Sequence, residues 1–211
     1  SNGEYYKIST NRAKGYNYAH PQFWDTTNVS GTERRVGRLL GFNTDAEGFI
    51  SPLLSRFHSI QGLRAAVFGA GGAARACVSA LNREGASVSI FARNPSKAKN
   101  FAGEFGADLD KIGNEELGSF DLVVNATPVG MNGSTENSTP FDTNGLENVK
   151  LVYDLVTSAD PTPLVLAARS AGVDTITGVE MLIAQAVRQF EIWTGKPAPV
   201  AVMKNAAMPR S

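Results

Sequence analysis

A glycine-rich turn between a strand-like and a helix-like segment constrains this fold more than any other feature of the sequence. The segment VFGAGGAARA places Gly69, Gly71 and Ala74 at the spacing G-x-G-x-x-G/A. In dinucleotide-binding folds the first glycine permits a tight turn and the second lets the backbone approach a pyrophosphate. A small third residue allows close packing of helix on strand. The spacing alone is a weak signal, but here strand, turn and helix stand in the required order, so the segment predicts a dinucleotide site.

From residue 63 to about residue 195, apolar runs of strand length alternate with helical patterns. The runs LRAAVFGA, SVSIFAR, DLVVNATP and KLVYDLVT show little polar alternation, which is typical of strands buried on both faces of a parallel sheet. Helical segments follow, several of them closed by glycine, and DTITG predicts one more short strand. MNGSTENSTPFDTNG is polar and predicts a loop. This pattern predicts a doubly wound Rossmann-type α/β fold.

Composition excludes several classes of protein. The 211 residues are 42% hydrophobic and 19% charged, with a formal net charge of zero and no dense Lys/Arg run, so nothing predicts a nucleic-acid partner. No apolar run is long enough to span a bilayer, and the first ten residues lack the apolar core of a signal peptide. Cys77 is the only cysteine, which favours a reducing, cytoplasmic location. No His, Cys and carboxylate cluster has metal-ligand spacing, so we expect no metal.

The end of the second strand bears on the choice of dinucleotide. An NAD-preferring site usually has an acidic residue there, which binds the ribose hydroxyls. This chain has FARNPSKA, with Arg93 and Lys97 near Ala92 and Asn94. An arginine offers a planar donor fork to phosphate oxygens, and cations are mildly unfavourable at a helix start unless an anion is bound. The alternative is that both cations are solvated residues, but the pattern favours NADP over NAD.

The segment GRLLGFNTDAEGF, ahead of the glycine turn, allows two interpretations. Thr44 and Glu47 fit a capping box, in which each side chain satisfies a backbone N–H at the helix start. Asp45 would then be an ordinary first-turn acid. Alternatively, Asp45 takes part in chemistry. These residues alone leave both interpretations open.

Together, these segments resemble the shikimate dehydrogenase family, from about Asn28 to Asn205. GRLLGFNTDAEGF resembles the family's G-x-N-T-D-x-x-G-F segment, and GAGGAARA and ARNPSKA resemble its cofactor and phosphate-binding loops. NATPVGM and GVEMLIAQAVRQFEIWTG resemble its N-A-T-x-x-G-M motif and its closing helix. The resemblance implies NADP-linked interconversion of 3-dehydroshikimate and shikimate in the biosynthesis of chorismate and aromatic amino acids, by a cytoplasmic monomer or homodimer. The alternatives are a quinate/shikimate enzyme of broader specificity and a non-catalytic dinucleotide-binding module.

The resemblance also implies roles for individual residues. Asp45 matches a carboxylate that binds the substrate hydroxyls and handles a proton together with a lysine, and Asn28 and Gln185 match substrate-binding residues. A carboxylate beside an ammonium group keeps both charged and oriented near the oxygen that gains or loses the proton. Motifs and resemblance together predict cofactor contacts at Gly69, Ala70, Gly71, Gly72, Ala73, Ala74, Ala92, Arg93, Asn94, Lys97, Asn125, Ala126, Thr127, Gly178 and Met181.

The N-terminal part departs from the family's pattern. The first 36 residues show no clear periodicity and contain neither the family's Ser-x-Ser pair nor its V-P-x-K segment with the catalytic lysine. Lys7 and Lys14 are the only lysines before Asn28, and neither has that context, so the lysine role stays unassigned. Thr157 stands where the family usually has tyrosine.

We therefore expect an α/β Rossmann-type sheet that carries a reduced or incomplete N-terminal substrate-binding region. An incomplete chain and a natural variant with altered chemistry both explain the departures, and the missing periodicity favours the first. The predicted division is an irregular remnant of the substrate domain at 1–45, an NADP-binding domain at 46–195, and a C-terminal segment at 196–211 that packs back toward the substrate region.

Overall fold

The N-terminal part forms a small antiparallel sheet. The structure is a computed structural model that describes residues 6–10, 16–18, 31–35, 38–42, 44–113, 116–133 and 135–207. Strands β1 (Tyr6–Thr10), β2 (Tyr16–Tyr18), β3 (Gly31–Arg35) and β4 (Arg38–Phe42) pair in the order β2-β1-β4-β3. The expectation that this region is irregular is wrong for these segments. Each strand has only three to five residues and pairs through main-chain hydrogen bonds, which leave little periodicity in the sequence.

A six-stranded parallel sheet follows, as predicted. Its strands are β5 (Arg64–Phe68), β6 (Ser87–Ala92), β7 (Asp108–Lys111), β8 (Leu122–Asn125), β9 (Leu151–Asp154) and β10 (Asp174–Thr177). They stand in the order β10-β9-β8-β5-β6-β7, and every pair is parallel. The chain builds outward from β5 in one direction and then from β8 in the other, so the strand order reverses between these two strands. This is the strand order of a doubly wound dinucleotide-binding fold.

Helices lie along both faces of this sheet. Within the described ranges they are α1 (Thr44–Arg56), α2 (Gly72–Arg83), α3 (Lys99–Phe105), α4 (Pro163–Ser170), α5 (Gly178–Thr194) and α6 (Val200–Ala207). None of these helices combines the length and the apolar character that crossing a bilayer requires. Helix α6 packs against α5, but the prediction that the C-terminal segment returns to the substrate region stays untested. The division of the chain at residues 45 and 195 likewise remains a prediction.

Successive residues of the central strands enter two separate cores. In β5, Ala65 and Val67 pack with buried residues of α1, α2 and α3, whereas Ala66 and Phe68 pack with those of α4 and the long connections around β8. All four are fully buried. A strand buried on both faces carries no polar alternation, which explains the continuous apolar runs in the sequence.

Besides the N-terminal strands, strand β7 and helix α6 were not predicted. Strand β7 has the sequence DLDK and pairs with β6. Its charged residues are typical of an edge strand, but they give the sequence no apolar pattern that would predict a strand. Helix α6 lies beyond the glycine that closes α5, where no strong periodic pattern was recognised. The polar loop at 131–145 contains neither α-helix nor strand in its described residues, as predicted.

Candidate dinucleotide and substrate site

A cleft of about 310 Å³ opens at the carboxyl ends of β5, β6, β7 and β8, where the strand order reverses. Open α/β sheets bind their ligands at such a switch point. Nine of the predicted cofactor positions line this cleft, together with Ile112 and Pro128, which sequence reasoning missed. The nine are Gly69, Ala70, Gly71, Ala92, Arg93, Asn94, Lys97, Ala126 and Thr127.

The glycine turn forms one wall of the cleft. Gly69 has a φ of +133°, and a Cβ there would lie only 2.8 Å from the Ala126 carbonyl oxygen, so a larger residue would push the two loops apart. At Gly71 a Cβ would meet nothing within 4 Å, which leaves room for a ligand close to the backbone. Gly71 precedes α2 without a side-chain capping bond. The first N–H groups of α2 can therefore bind an anion.

Arg93 and Lys97 stand on the other side of the cleft, after β6. Both side chains are exposed, and no side-chain ion pair holds either within the described residues. Asn94 shapes this loop, because its Oδ1 accepts hydrogen bonds from the Ser96 N–H (3.2 Å) and the Ser96 hydroxyl (2.5 Å). Two cations thus face a cleft that also has a helix N-terminus, and this donor set suits a dinucleotide with an extra phosphate.

Asn125 lies behind the cleft and shapes the loop after β8 that borders it. It is fully buried, and its Oδ1 accepts hydrogen bonds from the Thr127 N–H (3.0 Å) and the Thr127 hydroxyl (2.7 Å). Its amide group donates to the Val129 carbonyl oxygen (3.1 Å). Asn125 therefore folds the loop so that Ala126 and Thr127 line the cleft.

The remaining predicted cofactor positions lie outside the cleft lining. Gly72 and Ala73 are exposed in the first turn of α2, and Ala74 is buried there against the sheet. Gly178 begins α5 in close contact with the loop after β9, since a Cβ there would lie 2.5 Å from the Leu155 carbonyl oxygen. Met181 is buried one turn later. The predicted cofactor roles of these five residues, like those of Asn125 and of the nine that line the cleft, stay predictions.

Asp45 and Gln185 are brought together, although 140 residues separate them. Gln185 in α5 donates a hydrogen bond of 2.7 Å from Nε2 to Asp45 Oδ1 in the first turn of α1. Gly48, one turn further along α1, faces the backbone of Gln185, where a Cβ would lie 3.1 Å from its nitrogen. The absence of a side chain at Gly48 therefore lets the two helices approach closely.

Two further contacts fix the start of α1 against α5. Gln189 donates to the Thr44 hydroxyl (3.1 Å), and Arg188 pairs with Glu47. The capping-box interpretation of Thr44 and Glu47 stays a prediction, and the structure adds that both side chains contact the neighbouring helix. The four contacting positions Thr44, Asp45, Glu47 and Gly48 all lie in the segment NTDAEGF, which explains why this short stretch is so dense in polar and small residues.

Electrostatics connects Asp45 with the helix of the glycine turn. Burial raises the pKa of the Cys77 thiol in α2, and the negative charge of Asp45 raises it further. Helix α1, which carries Asp45, packs against α2, whose N-terminus borders the cleft. A buried thiol with a raised pKa is also inert at neutral pH.

The other sequence-based candidates are placed as follows. Asn28 and Lys14 lie outside the described residues, and Lys7 belongs to β1. Thr157 is exposed, just after β9. No group of three or more His, Cys, Asp or Glu side chains suited to a metal ion occurs among the residues that the structure describes.

Asp154, at the end of β9, was overlooked in the sequence. It is 1% exposed and accepts hydrogen bonds from Asn125, Val156 and Thr162. The signal was present, because a single acidic residue inside the apolar run KLVYDLVT is costly to bury unless donors surround it.

Comparison with known proteins agrees with this geometry. A family described as shikimate / quinate 5-dehydrogenase matches residues 53–136, and a shikimate 5'-dehydrogenase C-terminal domain matches residues 178–208. The chain is 40% identical over 181 residues to shikimate dehydrogenase (NADP(+)) of Pelodictyon phaeoclathratiforme. The chain belongs to the shikimate dehydrogenase family. That alignment covers 82% of this chain and 64% of the relative, so the chain spans less than two thirds of the relative's length.

Solved structures show the same relationship. The crystal structure of shikimate 5-dehydrogenase from Thermus thermophilus in complex with NADP(H) and shikimate is 34% identical with a TM-score of 0.72, over 83% of this chain and 66% of that one. Ligand-free 5-ketofructose reductase of a Gluconobacter strain is 30% identical with a TM-score of 0.74, again over 83% and 66%. The family fold thus occurs in proteins whose names give different substrates.

Proposed function

We propose that this protein is an NADP-dependent oxidoreductase of the shikimate dehydrogenase type, which interconverts 3-dehydroshikimate and shikimate. One observation carries the proposal: the cleft at the switch point combines the glycine turn, the N-terminus of α2 and the two cations Arg93 and Lys97. This donor set fits the pyrophosphate and the additional ribose phosphate of NADP. The names of the relatives, which include NADP and shikimate, support the same assignment.

When bound, the nicotinamide supplies the hydride chemistry at a carbon that bears a hydroxyl group. The chain's own contribution is to hold the substrate and its proton. Asp45 accepts hydrogen bonds from the substrate hydroxyls, and Gln185 fixes the direction of the Asp45 carboxylate through the 2.7 Å hydrogen bond. A carboxylate held in this way can take part in the proton transfer that accompanies hydride transfer. The cytoplasm as location, and a monomer or homodimer as assembly, belong to the same proposal.

The test follows the absorbance of NADPH with shikimate as substrate. We expect shikimate-dependent reduction of NADP⁺, with a much lower kcat/KM for NAD⁺. Quinate and 5-ketofructose are assayed in parallel, because the family description includes quinate and a structural relative is a 5-ketofructose reductase. Faster turnover of either compound than of shikimate would contradict the substrate assignment. Binding of NADP⁺ without turnover of any of them would instead support the non-catalytic dinucleotide-binding module.

A further inference from the structure

Asp154 is the buried centre of a hydrogen-bond network at the carboxyl ends of β8 and β9. Its Oδ1 accepts from the Asn125 amide (2.9 Å) and the Val156 N–H (3.1 Å), and its Oδ2 accepts from the Thr162 hydroxyl (2.5 Å). The Asn125 amide group and the Val156 N–H can only donate, so Oδ1 of Asp154 has to accept, and the carboxylate also offers its second oxygen to the Thr162 hydroxyl. Burial raises the pKa of Asp154, while the hydrogen bonds from Thr162, Val156 and Asn125 oppose that rise.

The first branch of this network reaches the cleft. Asn125 holds Thr127 by two hydrogen bonds, and Thr127 lines the cleft. Asp154 fixes the side chain of Asn125 in the orientation that makes these bonds, because the amide group donates to Asp154 while the amide oxygen accepts from Thr127. The loop after β8 therefore takes its shape from a residue on β9.

The second branch reaches the start of α5. Asp154 accepts from the Val156 N–H, and the Leu155 N–H donates to the Asn125 carbonyl oxygen (3.0 Å), so the backbone after β9 is fixed at both residues. Gly178 packs directly on the carbonyl groups of Leu155 and Val156. Asp154 thus also supports the surface on which α5 begins.

These two branches lie on one side of the glycine turn, and the two cations lie on the other. Arg93 and Lys97 follow β6, whereas Thr127 follows β8 and Val156 follows β9. A dinucleotide bound across the switch point, with its pyrophosphate at the glycine turn, extends one half toward each side. If the cations hold the phosphorylated adenosine half, the nicotinamide half faces the loops that Asp154 organises.

We propose that Asp154 is a positioning residue for the nicotinamide half of the dinucleotide. It acts through Asn125 and Val156, since it is buried beneath the cleft and does not line it. The proposal rests on the proposed function, because it assumes that the cleft binds NADP with its adenosine end at Arg93.

The experiment compares two probes by titration calorimetry. NADP⁺ occupies both halves of the site, whereas 2′,5′-ADP carries only the phosphorylated adenosine half. For Asp154→Asn, which removes the negative charge and replaces the acceptor that faces Thr162 with an amide group, we expect NADP⁺ to bind at least about tenfold more weakly and 2′,5′-ADP to bind within about twofold of the unmodified protein. A change in the ratio of the two affinities is a readout that a general loss of stability does not produce.

Asp121→Asn provides the matched control. Asp121 directly precedes β8, so it lies at the amino end of this strand, whereas Asp154 lies at the carboxyl end of β9. Like Asp154, it accepts a hydrogen bond from a backbone N–H, that of Arg64 at 2.9 Å. We expect it to leave both affinities unchanged. Thr162→Val is the second variant in case Asp154→Asn does not fold. It removes one donor to Asp154, and it should lower the affinity for NADP⁺ several-fold but not that for 2′,5′-ADP.

Equal affinities of Asp154→Asn and the unmodified protein for NADP⁺ would overturn the inference while leaving the proposed function intact. Equal weakening of both probes would also overturn it, because Asp154 would then support only the fold. If the unmodified protein binds neither probe, the proposed function itself fails, and the inference fails with it.

Discussion

Gln185 in α5 donates a 2.7 Å hydrogen bond to Asp45 in α1, and the two helices approach closely because Gly48 has no side chain between them. Through this contact, a neighbouring helix orients the first-turn carboxylate of Asp45. Thr44 and Glu47 make parallel contacts to the same face of α5. The position of α5 against the first turn of α1 therefore determines how the Asp45 carboxylate is oriented.

Gly48→Ala tests the close approach of the two helices. The new Cβ would overlap the Gln185 Cγ and lie 3.1 Å from its backbone nitrogen, so the Gln185 side chain must shift and α1 and α5 must move slightly apart. We expect the free energy of unfolding to fall by about 1–3 kcal/mol, as in other overpacked sites. Gly103→Ala in α3 is the control, because a Cβ there meets nothing within 4 Å and should raise the free energy of unfolding by about 0.5–1 kcal/mol. Urea denaturation measures both, and a similar effect of the two substitutions would contradict the interpretation.

Arg93→Ala tests the contact with the additional phosphate. Arg93 lines the cleft, is exposed, and belongs to a loop held by Asn94 rather than by Arg93 itself. We expect the Kd for NADPH to rise at least about tenfold, since a charge-assisted bond is lost, while the Kd for NADH changes little. Fluorescence titration measures both values. Arg83→Ala, at the far end of α2, serves as control, and equal weakening of NADPH and NADH by Arg93→Ala would reject the role.

Tyr153→Phe tests whether the buried Tyr153 hydroxyl contributes to stability. Among the described residues, the Tyr153 hydroxyl is the one buried side-chain polar atom without a hydrogen-bond partner, and burial raises the pKa of Tyr153. The ring itself stacks on Phe49 with centroids 4.9 Å apart, and phenylalanine would keep that contact. Removing an unpaired hydroxyl should leave the free energy of unfolding unchanged or raise it by about 1 kcal/mol. A decrease of about 1 kcal/mol in the free energy of unfolding, measured by thermal or urea denaturation, would show that the hydroxyl has a hydrogen-bond partner.

The lowered pKa of Asp121 leads us to expect that stability depends on pH. The Arg64 N–H, above all, lowers the pKa of Asp121, with burial opposing this effect and Lys150 at 3.0 Å adding to it. A carboxyl group whose pKa is lower in the folded state stabilises the fold above its unfolded-state pKa. That contribution is lost as the pH falls through the folded-state value.

We therefore expect Asp121→Asn to lower the free energy of unfolding by about 1 kcal/mol at neutral pH, because the amide oxygen still accepts from the Arg64 N–H but the negative charge that strengthens this bond and pairs with Lys150 is lost. The difference from the unmodified protein should shrink as the pH falls below the ordinary aspartate pKa. Urea denaturation at a series of pH values measures it. A difference that stays constant down to low pH would show that the carboxylate charge contributes nothing.

The glycine turn, the cations after β6 and the parallel sheet could be predicted because their signals are local in sequence. Each depends on a few neighbouring residues whose chemistry is specific, such as the spacing of Gly69 and Gly71 or the placement of Arg93 at a strand end. The antiparallel strands before α1 depend on main-chain pairing between short segments, which composition does not reveal.

The contacts between distant segments could not be derived from the residues alone. Asp45 and Gln185 were both identified through the family resemblance, but their hydrogen bond arises from the packing of α1 on α5. Asp154 carried a local signal, a lone acid in an apolar strand, yet its partners Asn125 and Thr162 come from other elements. The sequence can therefore single out such residues, but it does not reveal which residues they contact.

The rate of shikimate-dependent NADP⁺ reduction by Asp45→Asn, relative to the unmodified protein, tests the central claim most directly. Glu47→Gln is the matched control, since Glu47 lies in the same turn and also contacts α5, through Arg188. We expect Asp45→Asn to lower turnover by about two to four orders of magnitude with the Kd for NADP⁺ nearly unchanged, as when a group that handles a proton is removed. Glu47→Gln should retain turnover within about twofold. Undiminished turnover of Asp45→Asn, with only about 1 kcal/mol less free energy of unfolding, would show instead that Asp45 serves the start of α1.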